Sequence, residues 1–260
     1  MKTSIIIPVY NEEKTIDRIL KKVLASPINK EVIVVNDGST DKTLKILSKY
    51  KKEINYASHH KNRGKGSAIR TGLKHASGEI VLIQDADLEY DPSDYPALIR
   101  PIEQGKAKVV YGSRWLGKRK VKPSVFYLGT QFLTWATNFL YGTKITDESC
   151  GYKVFRYKVL NSLKFKSKGF EFCPEVTAKI AKKGIKIVEV PIKYTPRSIS
   201  EGKKIKWRDG IIALFTLIRY RFNWHKIGIP LFLLWTILIL TFYVLELLCR
   251  GEICLNLPLP

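Results

Sequence analysis

Three acids spaced two apart, Asp85, Asp87 and Glu89, stand directly after an apolar run, Ile80–Ile83. If the backbone stays extended, alternate side chains share a face and the three carboxylates converge. Carboxylates that close raise one another's pKa unless something positive sits between them. A hard divalent ion, Mg²⁺ or Mn²⁺, suits the position, because it takes a few carboxylate oxygens and completes its octahedron with water and diphosphate oxygens. An isolated Asp-x-Asp is more often a solvated turn. Here the acids follow a buried-type strand, where open α/β sheets hold their ligands, and the pattern predicts a metal site at Asp85, Asp87 and Glu89.

The elements that must position those acids can be read around them. Residues 4–8, 31–36, 54–58 and 80–83 are strand-like, and the patterns between them are helical: 13–25, 41–50 with Asp41 as N-cap and Leu44 and Leu47 inward, and 65–76. Strands separated by single helices predict a parallel, doubly wound α/β sheet. Further strands are expected at 109–112 and 185–190, and a helix at 172–183 closed by Gly184. In such a sheet four strand ends share one rim. They carry Pro8, Tyr10 and Glu12; Asp37 before a glycine; Lys65 between Gly64 and Gly66; and the acidic triplet. Gly64 and Gly66 would let the backbone approach a ligand, while Walker A spacing is absent.

The chain has 260 residues and a net charge of +22, concentrated at 101–226, where 27 Lys and Arg face 8 Asp and Glu. Such a field suits an anionic substrate and an anionic membrane surface. No zinc-finger, RNP-type or basic-zipper pattern is present, so nucleic acid is not an expected partner. The four cysteines lack metal or disulfide spacing, which predicts free thiols. The N-terminus enters a strand without the apolar stretch of a signal peptide. Residues 118–122 form a basic loop, and 205–226 read as an amphipathic helix lying in a membrane interface. Residues 227–245 hold no charge, long enough to span a hydrocarbon core. The expected division is a catalytic domain at 1–204, an interfacial helix at 205–226, a single transmembrane anchor at 227–248 and a short tail at 249–260. Arg219, Arg221 and Lys226 before the anchor place the catalytic domain in the cytoplasm.

The motifs IIIPVYNEE (5–13), VVNDGSTD (34–41), GKGSAIRTG (64–72), DADLEYDP (85–92), GSR (112–114), TDESCGYKVFR (146–156) and YTPRSISEGKKIKWRDG (194–210) resemble family 2 glycosyltransferases with a GT-A fold. Within that family the chain looks most like the dolichyl- or polyprenyl-phosphate mannose and glucose synthases, over roughly residues 1–224. The resemblance implies that Pro8, Tyr10, Glu12 and Asp37 hold the nucleoside, with Lys65 and Ala86 nearby. It implies that Asp85, Asp87 and Glu89 organise the metal, and that Arg114, Arg197 and Lys203 face the diphosphate or an acceptor phosphate. The chain departs from its relatives at Glu89, where they often carry Gln, and at Ser149–Tyr152, where they often read S-G-F.

A departing diphosphate must be stabilised, a task that suits Arg197, Lys203, Lys204 and a metal. A sugar hydroxyl acceptor would need a general base, whereas a phosphate monoester is already anionic at neutral pH. No histidine stands out as a base, and Asp147 is the acid that could serve. The expected function is inverting transfer of a hexose from GDP- or UDP-sugar to dolichyl or polyprenyl phosphate at the membrane. A partner membrane protein or a second copy of the chain could join it there. The alternatives are transfer to a saccharide hydroxyl in envelope polysaccharide synthesis, and a nucleotide-sugar-binding scaffold without turnover.

Overall fold

Strands buried on both faces read as continuous hydrophobic runs rather than alternating ones, and the centre of this fold is built from such strands. The computed structural model describes residues 1–116, 125–197, 204, 207–222 and 239. In it β1 (Thr3–Val9), β2 (Lys30–Asn36), β3 (Asn55–Ser58) and β4 (Ile80–Ile83) lie parallel in the order β3-β2-β1-β4. The sheet continues through β6 (Lys153–Arg156), β5 (Val109–Ser113) and β7 (Ile187–Pro191), giving seven strands. β5 and β7 are parallel to each other, while β6 runs antiparallel to both β4 and β5. The sheet is therefore mixed, though mostly parallel, and β6 was not anticipated.

Side-chain alternation divides the core in two. Ile5, Ile7, Val32, Val34, Ile80 and Leu82 face α1 (Ile16–Ala25) and α4 (Tyr95–Glu103), and the residues between them face α3 (Lys65–His75), α6 (Tyr157–Ser162) and α7 (Phe172–Lys182). Helix α1 shows the pattern that fixes its face: Ile16, Ile19, Leu20 and Val23 are all buried. The helix expected at 41–50 is shorter. It comprises α2 (Thr43–Leu47) and a 3-10 turn at Ser48–Tyr50, with Asp41 Oδ1 accepting from the Thr43 N–H at 2.9 Å. Leu47 is buried as expected, but Leu44 is 49% exposed.

Helix α5 (Val125–Tyr141) packs with α7 and α8 (Trp207–Arg221) around Leu133, Ala178, Ala213 and Leu217. Tyr141 donates to the Leu217 carbonyl at 2.6 Å, and Tyr220 donates to Glu175 at 2.6 Å. The other side of α8 leaves Trp207, Ile211 and Ile212 exposed. Met1–Arg221 make up one unit and Phe222–Pro260 a second. The basic loop at 118–122, Lys203, and the anchor expected at 227–248 (Ile239 apart) lie outside the described residues. No helix of the described residues is long and apolar enough to cross a membrane.

Candidate active site

Strand β1 has β2 on one side and β4 on the other, so strand order reverses beside it, and a crevice opens where the carboxyl ends diverge. That crevice, about 750 Å³, is lined by Pro8, Tyr10, Glu12, Asp37, Lys65 and Ala86, together with Asp85, Asp87, Glu89, Arg114 and Arg197. The expected site residues within the described part thus share one cavity, except Asp147.

Local structure sets each of them. After β1 the backbone turns through Asn11, whose φ of 48° is left-handed. The turn is pinned to the loop after β2: Asn11 Oδ1 accepts from the Thr40 N–H at 2.8 Å, and the Glu12 N–H donates to Thr43 Oγ1 at 2.9 Å. Asp37 is buried and accepts from the Arg63 N–H (2.9 Å) and the Gly64 N–H (2.7 Å), with His59 Nδ1 2.6 Å from its Oδ1. Three bonds commit most of this carboxylate to holding the 63–64 loop. Gly64 lines the crevice and also has a reason in the fold to be glycine. Its φ is +91°, and a Cβ there would overlap the Lys168 carbonyl, so the glycine admits a neighbouring backbone.

The acidic segment departs from expectation in its backbone. Beyond β4 the chain does not stay extended; it turns, with Leu88 at φ 64°. Nor are the acids unpaired. Asp85 meets Lys65 Nζ at 2.5 Å, Asp87 meets Arg197 Nη2 at 3.0 Å, and Glu89 Oε1 accepts from the Arg197 N–H at 2.9 Å. Arg197 also reaches Glu12 at 3.2 Å, and Lys204 Nζ reaches Glu12 at 2.7 Å and bonds the Tyr10 carbonyl. Among the described residues no cluster of three acids, histidines or cysteines is gathered to hold a metal. Glu89, expected as a third metal ligand, here accepts from the Arg197 backbone N–H and so ties that segment to the acids.

Asp85 and Asp87 nonetheless fit a hard divalent ion. Burial, then Asp85, then Glu89, push the Asp87 carboxyl up to about 7, and Arg197 only partly opposes them. The negative charge exceeds what the resident cations neutralise. Two carboxylates plus diphosphate and water oxygens make an ordinary Mg²⁺ or Mn²⁺ shell. Gly151 permits this arrangement, because a Cβ there would overlap Asp85 Oδ2. Lys65 is held above its ordinary pKa by Asp85 despite its burial, and Arg197 above its own by Asp87 and Glu12.

Asp147 is not placed to take a proton. It is fully buried and absent from the crevice lining, and it holds Arg114 in a fork: Nε to Oδ2 at 2.7 Å, Nη2 to Oδ1 at 2.7 Å, and the Arg114 N–H to Oδ2 at 3.0 Å. Arg114 also lies over the rings of Trp115 and Tyr194, 4.9 and 5.2 Å from their centroids. Asp147 thus positions Arg114. Reading the sequence missed His59 and Glu148, the latter a buried acid on the crevice wall. Both stand beside residues that were singled out, and nothing in their spacing marks them.

Residues 4–164 match the family model for glycosyl transferase family 2. The UDP-N-acetylglucosamine–dolichyl-phosphate N-acetylglucosaminyltransferase of Methanococcus voltae is 32% identical, across 77% of this chain and 89% of its own. The dolichol-phosphate mannosyltransferase of Pyrococcus furiosus is 31% identical, across 78% of this chain and 59% of its own. Among solved structures, glucosyl-3-phosphoglycerate synthase of Mycobacterium tuberculosis, crystallised with Mn²⁺, uridine diphosphate and phosphoglyceric acid, is similar at a TM-score of 0.66 and 21% identity. The match covers 85% of this chain and 78% of that one, and it bears out the GT-A-like sheet.

Proposed function

The chain belongs to glycosyl transferase family 2, and from that premise we propose that it moves a hexosyl unit from GDP- or UDP-sugar to dolichyl or polyprenyl phosphate, with inversion, at the cytoplasmic face of a membrane. The observation that carries this reading is the mixed lining of the crevice, which combines the charged pairs Lys65–Asp85 and Arg197–Asp87 with the apolar side chains of Phe126, Leu133, Trp207 and Ala213. A lipid phosphate has matching parts, an anionic head and an apolar chain. The two curated relatives above, named for dolichyl- or dolichol-phosphate transfer, support the same acceptor.

In this reading Pro8, Tyr10, Glu12 and Asp37 border the nucleoside. Bound at Asp85 and Asp87, Mg²⁺ or Mn²⁺ would neutralise the charge of the departing diphosphate. Lys65 and Arg197, paired with those acids, would lie beside the diphosphate as its cationic neighbours. Arg114, held rigid by Asp147, presents a fixed positive charge to the acceptor phosphate, which attacks without a general base. Membrane attachment is supported by Leu128, Phe132, Trp135 and Phe139, exposed at helical spacing on one side of α5, and by the exposed Trp207, Ile211 and Ile212 of α8. The stretch at 227–248, free of charge up to Leu245, would add the anchor.

The test offers the full chain a panel of GDP- and UDP-sugars with a polyprenyl phosphate or the matching unphosphorylated polyprenol. Transfer to the phosphate alone, lost in EDTA, is the expected result. Equal transfer to the hydroxyl acceptor would overturn the acceptor reading.

A further inference from the structure

Glu148 stands three residues before Gly151, where the backbone passes Asp85, and both residues line the crevice. The residue is fully buried, and almost every polar atom it has is spoken for. Its N–H lies 3.1 Å from Thr134 Oγ1, its carbonyl accepts from Lys153 Nζ at 2.8 Å, and Oε1 accepts from the Thr177 hydroxyl at 3.4 Å. Oε2 has no hydrogen-bond partner among the described residues. Buried polar atoms in folded proteins are nearly always bonded, so an orphan on a residue of the crevice lining points to a donor supplied when the crevice is filled.

The wall behind Glu148 is stiff. Thr177 Oγ1 is 2.9 Å from Tyr111 Oη, and the Lys153 ammonium lies 3.5 Å from the centre of the Tyr111 ring. The carboxyl is therefore held in place, and any partner must come to it. Cys173, Lys65 and Asp85 line the same crevice as Glu148. A phosphate brings no donor to the orphan oxygen at neutral pH, and a hydrocarbon chain brings none at any pH. A ring of hydroxyls attached to the diphosphate does.

We propose that Glu148 receives a hydroxyl of the sugar being transferred, and so helps decide which sugar the crevice accepts. The proposal rests on the donor reading above. A site built around a substrate hydroxyl discriminates against the analogue lacking it, because its own polar group is then left unpaired.

The experiment measures kcat/KM for a set of monodeoxy analogues of the accepted nucleotide-sugar on the wild type, Glu148→Gln and Glu148→Ala. Nucleoside diphosphate binding is titrated separately on each. One deoxy position should cost the wild type roughly 10- to 100-fold and cost Glu148→Ala several-fold less, while nucleoside diphosphate affinity stays the same across all three proteins. Glu148→Gln keeps the volume and one acceptor oxygen, so it carries the same comparison if Glu148→Ala does not fold. Deoxy penalties identical in wild type and variants would overturn the proposal, as would a fall in kcat of the same size with every donor, which is the mark of a base or of a merely structural group. If neither nucleoside diphosphate nor nucleotide-sugar binds the wild type, the donor reading fails and this proposal with it. If they bind and turn over but no position couples, Glu148 alone is refuted.

Discussion

Replacing Asp147 by Asn keeps the side-chain volume and removes the charge opposite a guanidinium that is only 3% exposed. Of the three bonds that Asp147 accepts, the fork at 2.7 and 2.7 Å is charge-assisted and depends on the carboxylate. What remains is a buried cation without a counter-charge, a loss typically worth about 3–5 kcal/mol. Arg114→Met should cost a similar amount by stranding the carboxylate, whereas the pair Arg114→Met with Asp147→Leu should recover most of the loss, because neither charge is left behind. At a urea slope of about 3 kcal/mol/M, each single substitution should lower the unfolding midpoint by roughly 1–1.7 M. Trp115, whose ring lies 4.9 Å from the Arg114 guanidinium, offers a local fluorescence signal for the titration of the full chain in detergent. Turnover of Asp147→Asn should follow the misplacement of Arg114 and be partly retained where the protein stays folded. A variant with an unchanged midpoint and no turnover would refute the positioning role and return Asp147 to the part of a base.

Gly151→Ala should leave the circular dichroism spectrum intact but weaken Mn²⁺ binding and transfer at least tenfold, since the new methyl displaces the Asp85 carboxylate; full activity would show that Asp85 tolerates displacement. Burial alone would raise the Glu175 carboxyl, yet hydrogen bonds from Lys179, Ser167 and Tyr220 hold it at about 2. Its folded pKa lies below its unfolded one, so its stabilisation is complete above about pH 4.5 and is lost as pH falls toward 2. The urea-midpoint gap between wild type and Glu175→Gln should therefore shrink from pH 7 to pH 3. Serine at Phe132, Trp135 and Phe139 together should reduce vesicle co-sedimentation tenfold or more in a chain lacking residues 227–260, with the unfolding midpoint unchanged because all three side chains are exposed.

Strands β1 to β5 and β7 were legible in the sequence, most plainly β2 and β4 with their apolar runs, and helical spacing marked α1, α3 and α7. Strand β6 escaped because Lys153 and Arg156 break the pattern. Lys153 is nonetheless fully buried, its ammonium accepted by the Glu148 carbonyl and the Tyr111 ring, a solution that depends on residues remote in sequence. The same limit applies to the site. Spacing brought Asp85 and Asp87 to attention, and the cavity gathers them. The positive-φ turn at Leu88 and the pairing of each acid with Lys65 or Arg197 are set by tertiary contacts, which the spacing of the acids does not show.

Arg197 reaches Glu12 across 185 positions of the chain, and that separation governs how the protein is made. At roughly 5–20 residues per second, synthesis takes on the order of ten seconds to proceed from the end of β4 to Arg197. Throughout that interval the nascent chain holds β1–β4 with Glu12 and Asp87 already specified and no Arg197 to meet them. A product terminated before residue 197, even one that carries all seven strands, would have an acid-rich rim lacking Arg197, so abortive fragments are born inactive, and the enzyme is assembled only when the segment leading toward the expected membrane stretch has been translated.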